Sequence, residues 1–246
     1  MKIFSPYIFQ CRSMLNELTV IDLGRLAYGV ALARQEEAVR LRLEGKITDT
    51  LFLVEHPPVI TFGRRGKAEH LLASKEELAR RGVELFNITR GGDVTFHGPG
   101  QLVAYLIADL TERGRDLHRF LRELEEGVIH FLANYHLKGE RIAGKTGVWV
   151  EGRKICAMGM AVRNWITFHG LALNVSTTLD YFSLIVPCGL SDPVTNMELE
   201  LKEKVDFEKA KEHLAASIAA VFGYETVRGM DTAKPSPVFS PLIPAK

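Results

Sequence analysis

Two residues of this chain combine reactive chemistry with an unusual local setting: Lys154, in the apolar run KICAMGMAV, and Cys188, held between proline and glycine in SLIVPCGL. A thiol attacks a carbonyl as its thiolate, so it needs a base or a cation nearby. A lysine desolvated by apolar neighbours is drawn towards its neutral form and can take that part. Pro187 fixes one backbone angle before the cysteine, and Gly189 lets the chain turn sharply after it, at the edge of the run FSLIVP. The same two residue types also serve as inert packing and as solvated surface. Residue type alone therefore leaves both readings open.

Two further segments have the composition of ligand loops. Arg90 to Gln101, RGGDVTFHGPGQ, sets four glycines and a proline around one arginine and one histidine. Glycines let a backbone approach a ligand and aim its N–H groups at a carbonyl or carboxylate, although a tight turn between strands has the same composition. HGLALN, His169 to Asn174, puts a histidine and an asparagine around an apolar strand, where a satisfied core imidazole is the ordinary reading.

The elements that must hold these residues can be read from periodicity. LTVIDLG reads as a strand, and RLAYGVALARQEEAVRLRLEG as a long amphipathic helix with Leu26, Val30, Ala33, Ala38 and Leu41 on its apolar side and Gly45 at its end. Two short strands, Thr50 to Glu55 and Val59 to Phe62, flank a Pro-Pro break; a basic loop, GRRGKAEHLL, follows. Ser74 and Glu77 have capping-box spacing for a short helix, VELFNIT reads as a strand, and LVAYLIADL as a buried strand. Asp116 caps a helix whose face runs through Leu117, Phe120, Leu121, Leu124, Val128, Phe131 and Leu132. GVWVEGRKICAMGMAVR is a hairpin turning at Glu151 and Gly152, ITFHGLALNV a further strand, and Asp206 opens a last helix with Phe207, Ala210, Leu214, Ile218 and Val221 inward. Strands and helices do not alternate, so the expectation is one α+β domain over 14–229. Residues 1–13 are expected to be a disordered extension, with Met14 a possible start, and 230–246 a Pro-rich tail.

Composition narrows the function classes. With 31 basic and 30 acidic residues in 246, the chain has no general positive field, so no nucleic acid partner is expected. Three cysteines are an odd number in a chain too large to need disulfide staples, which suggests free thiols in a reducing cytoplasm. No apolar run reaches membrane-spanning length, and no membrane partner is expected. GERIAGKT, Gly139 to Thr146, satisfies the phosphate-loop pattern, but it is approached by the polar YHLKGER and left by the strand GVWV rather than by a helix. The histidines include no i, i+4 pair and the cysteines no C-x-x-C, so no metal and no cofactor are expected.

Four segments in this order, RGGDVTFHGPGQLVAYLIADL, GKTGVWVEGRKICAMGMAVR, TFHGLALNV and IVPCGL, resemble the lipoyl/octanoyl transferases of lipoate biosynthesis, over roughly Leu18 to Val221. The resemblance implies a biotin/lipoate protein ligase-like fold, with a mixed larger sheet and a smaller sheet flanked by helices. It implies that Cys188 is the acyl-thioester nucleophile and Lys154 the residue that lowers its pKa. It maps substrate binding onto Arg90, Gly91, Gly92, Asp93, Val94, Thr95, Phe96 and His97, onto Ala157, Met158 and Gly159, and onto Gly170, Leu171 and Ala172. The implied donor is octanoyl-acyl carrier protein; the implied acceptors are lipoyl domains of 2-oxoacid dehydrogenase E2 subunits and the glycine cleavage H protein. On that reading Arg64, Arg65 and Lys67 could dock an acidic carrier, or could be a solvated loop. Cys156, close to Lys154, is a second thiol to weigh. Competing readings are an ATP-dependent lipoate or biotin ligase of the same fold, transfer of octanoyl between lipoyl proteins, transfer through a cysteine in another loop, and a non-catalytic acyl-binding module.

Overall fold

The computed structural model describes residues 17–186 and 193–229. The expected extension, the Pro-rich tail and Cys188 lie outside the described residues. Among those described, a seven-stranded mixed sheet runs in the order β10-β1-β2-β6-β9-β8-β7, and a three-stranded sheet in the order β4-β3-β5. The large sheet comprises β1 (Glu17–Arg25), β2 (Asp49–Glu55), β6 (Gln101–Ile107), β7 (Val148–Val150), β8 (Arg153–Arg163), β9 (Ile166–Asn174) and β10 (Thr226–Arg228); the small one comprises β3 (Val59–Phe62), β4 (Glu84–Asn87) and β5 (Val94–His97). The Pro-Pro break between β2 and β3 therefore marks a change of sheet.

The large sheet is covered on both faces, and its central strands are apolar on both. Leu51, Leu53, Leu102, Ala104 and Leu106 face α3 (Leu117–Ala133) and α5 (Phe207–Phe222), packing on Phe120, Leu124, Val128, Leu214 and Ile218. The alternate residues Phe52, Val54, Val103, Tyr105 and Ile107 face α1 (Tyr28–Leu43). A period of two with both phases apolar is why LVAYLIADL reads as one unbroken run. A smaller core of Ile60, Leu78, Val94, Phe96, Leu184 and Ile185 joins the small sheet to α2 (Lys75–Arg80) and the 3₁₀ turn Leu179–Leu184.

The three helix starts marked by Ser74, Asp116 and Asp206 are held by those side chains, as expected. Ser74 accepts from Glu77 N at α2, Asp116 from Arg119 N at α3, and Asp206 from Glu208 and Lys209 N at α5. The expected face of α1 needs correction. Its buried stripe is Tyr28, Ala31, Gln35, Ala38, Val39 and Leu41, while Val30 is 41% exposed. An aromatic hydroxyl and an amide occupy part of the inward face; of the expected residues Ala38 and Leu41 lie on it and Leu26 packs against that core, while Val30 and Ala33 turn away. A short helix, α4 (Met197–Leu201), and β10 are additions that periodicity did not reveal.

β8 and β9 pair so that Gly159 faces Gly170. A Cβ on Gly159 would stand 2.7 Å from Gly91 O, and one on Gly170 would stand 2.1 Å from Ala104 O on β6. Both contacts are with backbone held in sheet or loop, which has little freedom to yield. Gly170→Ala is expected to cost about 3 kcal/mol or more in urea unfolding.

Candidate active site

The Glu151–Gly152 turn has both residues at positive φ, 49° and 73°, as a two-residue hairpin between right-twisted strands requires. It sets Lys154 opposite Trp149, with Lys154 Nζ 4.9 Å from the Trp149 ring centroid. One step later the register slips, Val148 pairing with Cys156 rather than Ile155, which makes a bulge on β8. In an unbroken strand Lys154 and Cys156 would share a face. The bulge separates them: Lys154 is half-buried at a cavity, while Ile155 and Cys156 are both fully buried in the main core. Burial pushes the Cys156 thiol far above its usual range, so this cysteine is packing.

The cavity is a largely apolar slot of about 550 Å³ outside the protein atoms, part of it open to solvent. Arg90, Gly92, Val94, Thr95 and His97 line it from the Gly-rich loop and β5; Lys154, Ala157, Met158 and Gly159 from β8; Gly170, Leu171 and Ala172 from β9. Three of the expected binding residues lie elsewhere. Gly91 and Asp93 line an outer groove that shares Gly92, Thr146, Lys154, Met158 and Gly159 with the slot. Strand alternation turns Phe96 into the small core, where it stacks on Tyr181 at 4.6 Å. The slot also uses Tyr28, Val103, Tyr105, Thr146 and His169. His169 stood out in the sequence only as a core imidazole, and Tyr28 carried no signal.

The polar groups of the slot are fixed from behind. Arg90 Nη2 donates to Thr61 O at 2.7 Å and Thr61 Oγ1 at 2.9 Å, and Nη1 to Gly91 O at 3.0 Å, so its charge lies buried in the wall. His56 Nδ1–H donates to Leu26 O at 2.7 Å, which leaves Nε2 to accept from Tyr105 O–H at 2.8 Å. Burial lowers His56 to about 4 and His97 and His169 to about 3, the last two helped by the Arg90 charge. All three imidazoles are neutral at neutral pH. Burial likewise raises the Tyr28 and Tyr105 hydroxyls, keeping them protonated.

From His97 a buried chain runs back to the lysine. His97 Nδ1–H donates to Gln101 Oε1 (2.8 Å), Gln101 Nε2 to Asn174 Oδ1 (2.9 Å), and Asn174 Nδ2 to Thr195 O (2.9 Å). Thr195 N donates to Lys154 O at 3.0 Å, and Lys154 N to Pro193 O at 2.7 Å. At the other flank of the segment that carries Cys188, Val186 N donates to His70 O at 2.8 Å. Both His70 and Lys154 line the outer groove. In Gly139 to Thr146, Glu140 pairs with Trp149, and the segment runs into β7 rather than into a helix, so it is not a nucleotide loop. No group of three or more His, Cys, Asp or Glu among the described residues is placed to hold a metal ion, and no helix among them is long and apolar enough to cross a membrane.

Known proteins agree with this architecture. Residues 27–219 match the family model described as lipoyl protein ligase A/B catalytic domain. The chain is 46% identical over 220 residues to the octanoyltransferase of Chloroflexus aggregans, covering 88% of this chain and 100% of that one. It is 49% identical over 210 residues to the octanoyltransferase of Caldicellulosiruptor saccharolyticus, covering 84% and 89%. Two solved structures share the fold at low identity. A bipartite lipoate protein ligase of Thermoplasma acidophilum, studied with its E2 lipoyl domain, aligns at TM-score 0.67 and 16% identity over 87% of this chain and 88% of that one. Lipoate-protein ligase A bound with ATP aligns at TM-score 0.66 and 16% identity, over 88% and 90%. With its mixed seven-stranded sheet, smaller sheet and apolar slot beside Lys154, the chain belongs to the octanoyltransferases, the acyltransferases of lipoate attachment within the lipoyl protein ligase A/B family.

Proposed function

We propose that the chain takes an octanoyl group from the thioester of an acyl carrier protein onto Cys188, and passes it to the side-chain amine of a lysine on a lipoyl domain of an E2 subunit or H protein. The observation that carries this reading is Lys154, common to the apolar slot and the outer groove, with its backbone N–H bonded to Pro193, where the described chain resumes after Cys188. In the first step the Cys188 sulfur attacks the thioester carbonyl, a new C–S bond forms, and the bond to the carrier's pantetheine sulfur breaks. Lys154 takes the cysteine proton and returns it to the departing sulfur. In the second step the acceptor amine attacks the same carbonyl, the C–S bond to Cys188 breaks, and the amine proton returns through Lys154 to the cysteine. A thioester is exchanged for a thioester and then for a more stable amide, so the sequence needs no ATP. The slot walls, Val94, Val103, Met158, Leu171 and Ala172, receive the acyl chain; the neutral imidazoles leave them without a titrating charge.

Each methylene buried in such a slot contributes about 0.8 kcal/mol, so a hexanoyl donor, shorter by two, should show kcat/KM roughly tenfold below octanoyl in transfer assays. Cys188→Ala should form no hydroxylamine-sensitive octanoyl adduct by intact mass, whereas Cys156→Ala should still form it; the reverse pattern would overturn the nucleophile assignment. Lys154→Ala should lower kcat by about 10²- to 10⁴-fold with a much smaller change in donor KM, measured by octanoylation of an isolated lipoyl domain.

A further inference from the structure

The outer groove has a chemistry that an octanoyl chain does not use. Its walls bring Arg64, Arg65, Lys67 and Lys145 beside Lys154, in a chain whose net charge is only +1. The one carboxylate there among the described residues, Asp93, is already committed: it accepts from Val94 N at 2.8 Å and Lys67 N at 3.4 Å, and its other oxygen lies 2.5 Å from His70 Nδ1. Lys67 is engaged by Glu69 at 3.2 Å. Arg64 and Arg65 are exposed and make no ion pair among the described residues.

The two arginines do not sit on a loose loop. Gly63 N donates to Asp93 O, Arg64 N to Arg90 O and Arg65 N to Gly92 O, at 2.9, 2.9 and 3.0 Å. The basic loop is thereby fixed, residue by residue, to the Gly-rich loop that walls the slot. Thr146, Met158, Gly159 and Lys154 are common to slot and groove, so the two form one continuous depression. A donor whose thioester reaches Lys154 can lay the rest of its arm along this groove.

We propose that Arg64 and Arg65 bind the phosphodiester of the 4′-phosphopantetheine arm that carries the octanoyl thioester, an assignment that rests on the carrier-borne donor proposed above. A planar guanidinium fork matches two phosphate oxygens, and paired arginines in a concave, tethered loop suit one compact dianion or monoanion better than a broad acidic protein surface. The groove then reads the one charged group of the arm while the slot reads its acyl end.

The test uses donors that carry no protein: octanoyl-4′-phosphopantetheine and octanoyl-pantetheine, with the full chain as enzyme and a lipoyl domain as acceptor. The wild type should use the phosphorylated donor with kcat/KM at least tenfold higher, and the ratio should fall towards one in Arg64→Ala/Arg65→Ala. Equal use of the two donors by the wild type, or an unchanged ratio in the double variant, overturns the assignment. If the double variant loses rate only with the intact carrier, the arginines serve the carrier's protein surface instead, which also overturns it. Octanoyl-coenzyme A separates arm from nucleotide: a tenfold preference for it over octanoyl-4′-phosphopantetheine would move the site to the extra phosphates and away from the arm. If only the intact carrier reacts, 4′-phosphopantetheine should inhibit that reaction at least tenfold better than pantetheine, and equal inhibition counts against the proposal. Failure of every donor, carrier included, would instead defeat the donor reading itself.

Discussion

The structure depends on how one strand residue is held from the side. Lys154 gives both of its backbone polar groups to the segment returning at 193–195, and that segment is in turn gripped by Asn174 of the neighbouring strand. Buried amides and carbonyls cannot be left unpaired without cost, so each member of the run from His97 to Lys154 fixes the next. The end of that run carries further support: Thr195 Oγ1 meets Glu200, which also receives Arg153 at 2.7 Å. The lysine thus sits where three distant parts of the chain agree, and its side chain is left to face the cavity.

Around that point the two sheets divide the labour. The large sheet contributes a rigid wall whose position is set by register and by backbone contact at Gly159 and Gly170. The small sheet contributes the loop bearing Arg90, whose buried guanidinium is satisfied by Thr61 and Gly91. Glu125, fully buried on α3, ties the remaining side of the mouth: it accepts from Gly147 N at 3.0 Å and pairs with Arg122 and Arg141. An ionised side chain at such a depth is tolerable only with partners of this kind. It holds the loop that carries Thr146 against the helix.

Much of this was legible in the order of residues. Strand and helix positions followed from apolar spacing, and the caps at Ser74, Asp116 and Asp206 from their side-chain oxygens. Of the fourteen residues that family resemblance assigned to substrate, eleven line the slot. What spacing could not show was anything that depends on a break in spacing. The β8 bulge decides that Lys154 and Cys156 part company, and no local residue pattern announces it. The family resemblance takes in Arg90 to His97 as one segment, Phe96 with it, whereas pleating sends that ring the other way. Tyr28 and Tyr105 enter the cavity from a helix and a strand far apart in the chain, so only the tertiary fold reveals them as neighbours.

Leu171 belongs at once to the slot wall and to the main core packed under α3 and α5. Trimming it to admit a bulkier or longer cargo would therefore open a void in the load-carrying interior. Val103, Tyr105 and Ala172 have the same double membership on the α1 side. Cargo preference and thermal robustness are consequently inherited together at these positions. A lineage that drifts towards a different acyl length should do so through the rim, at Thr146, before it touches the wall.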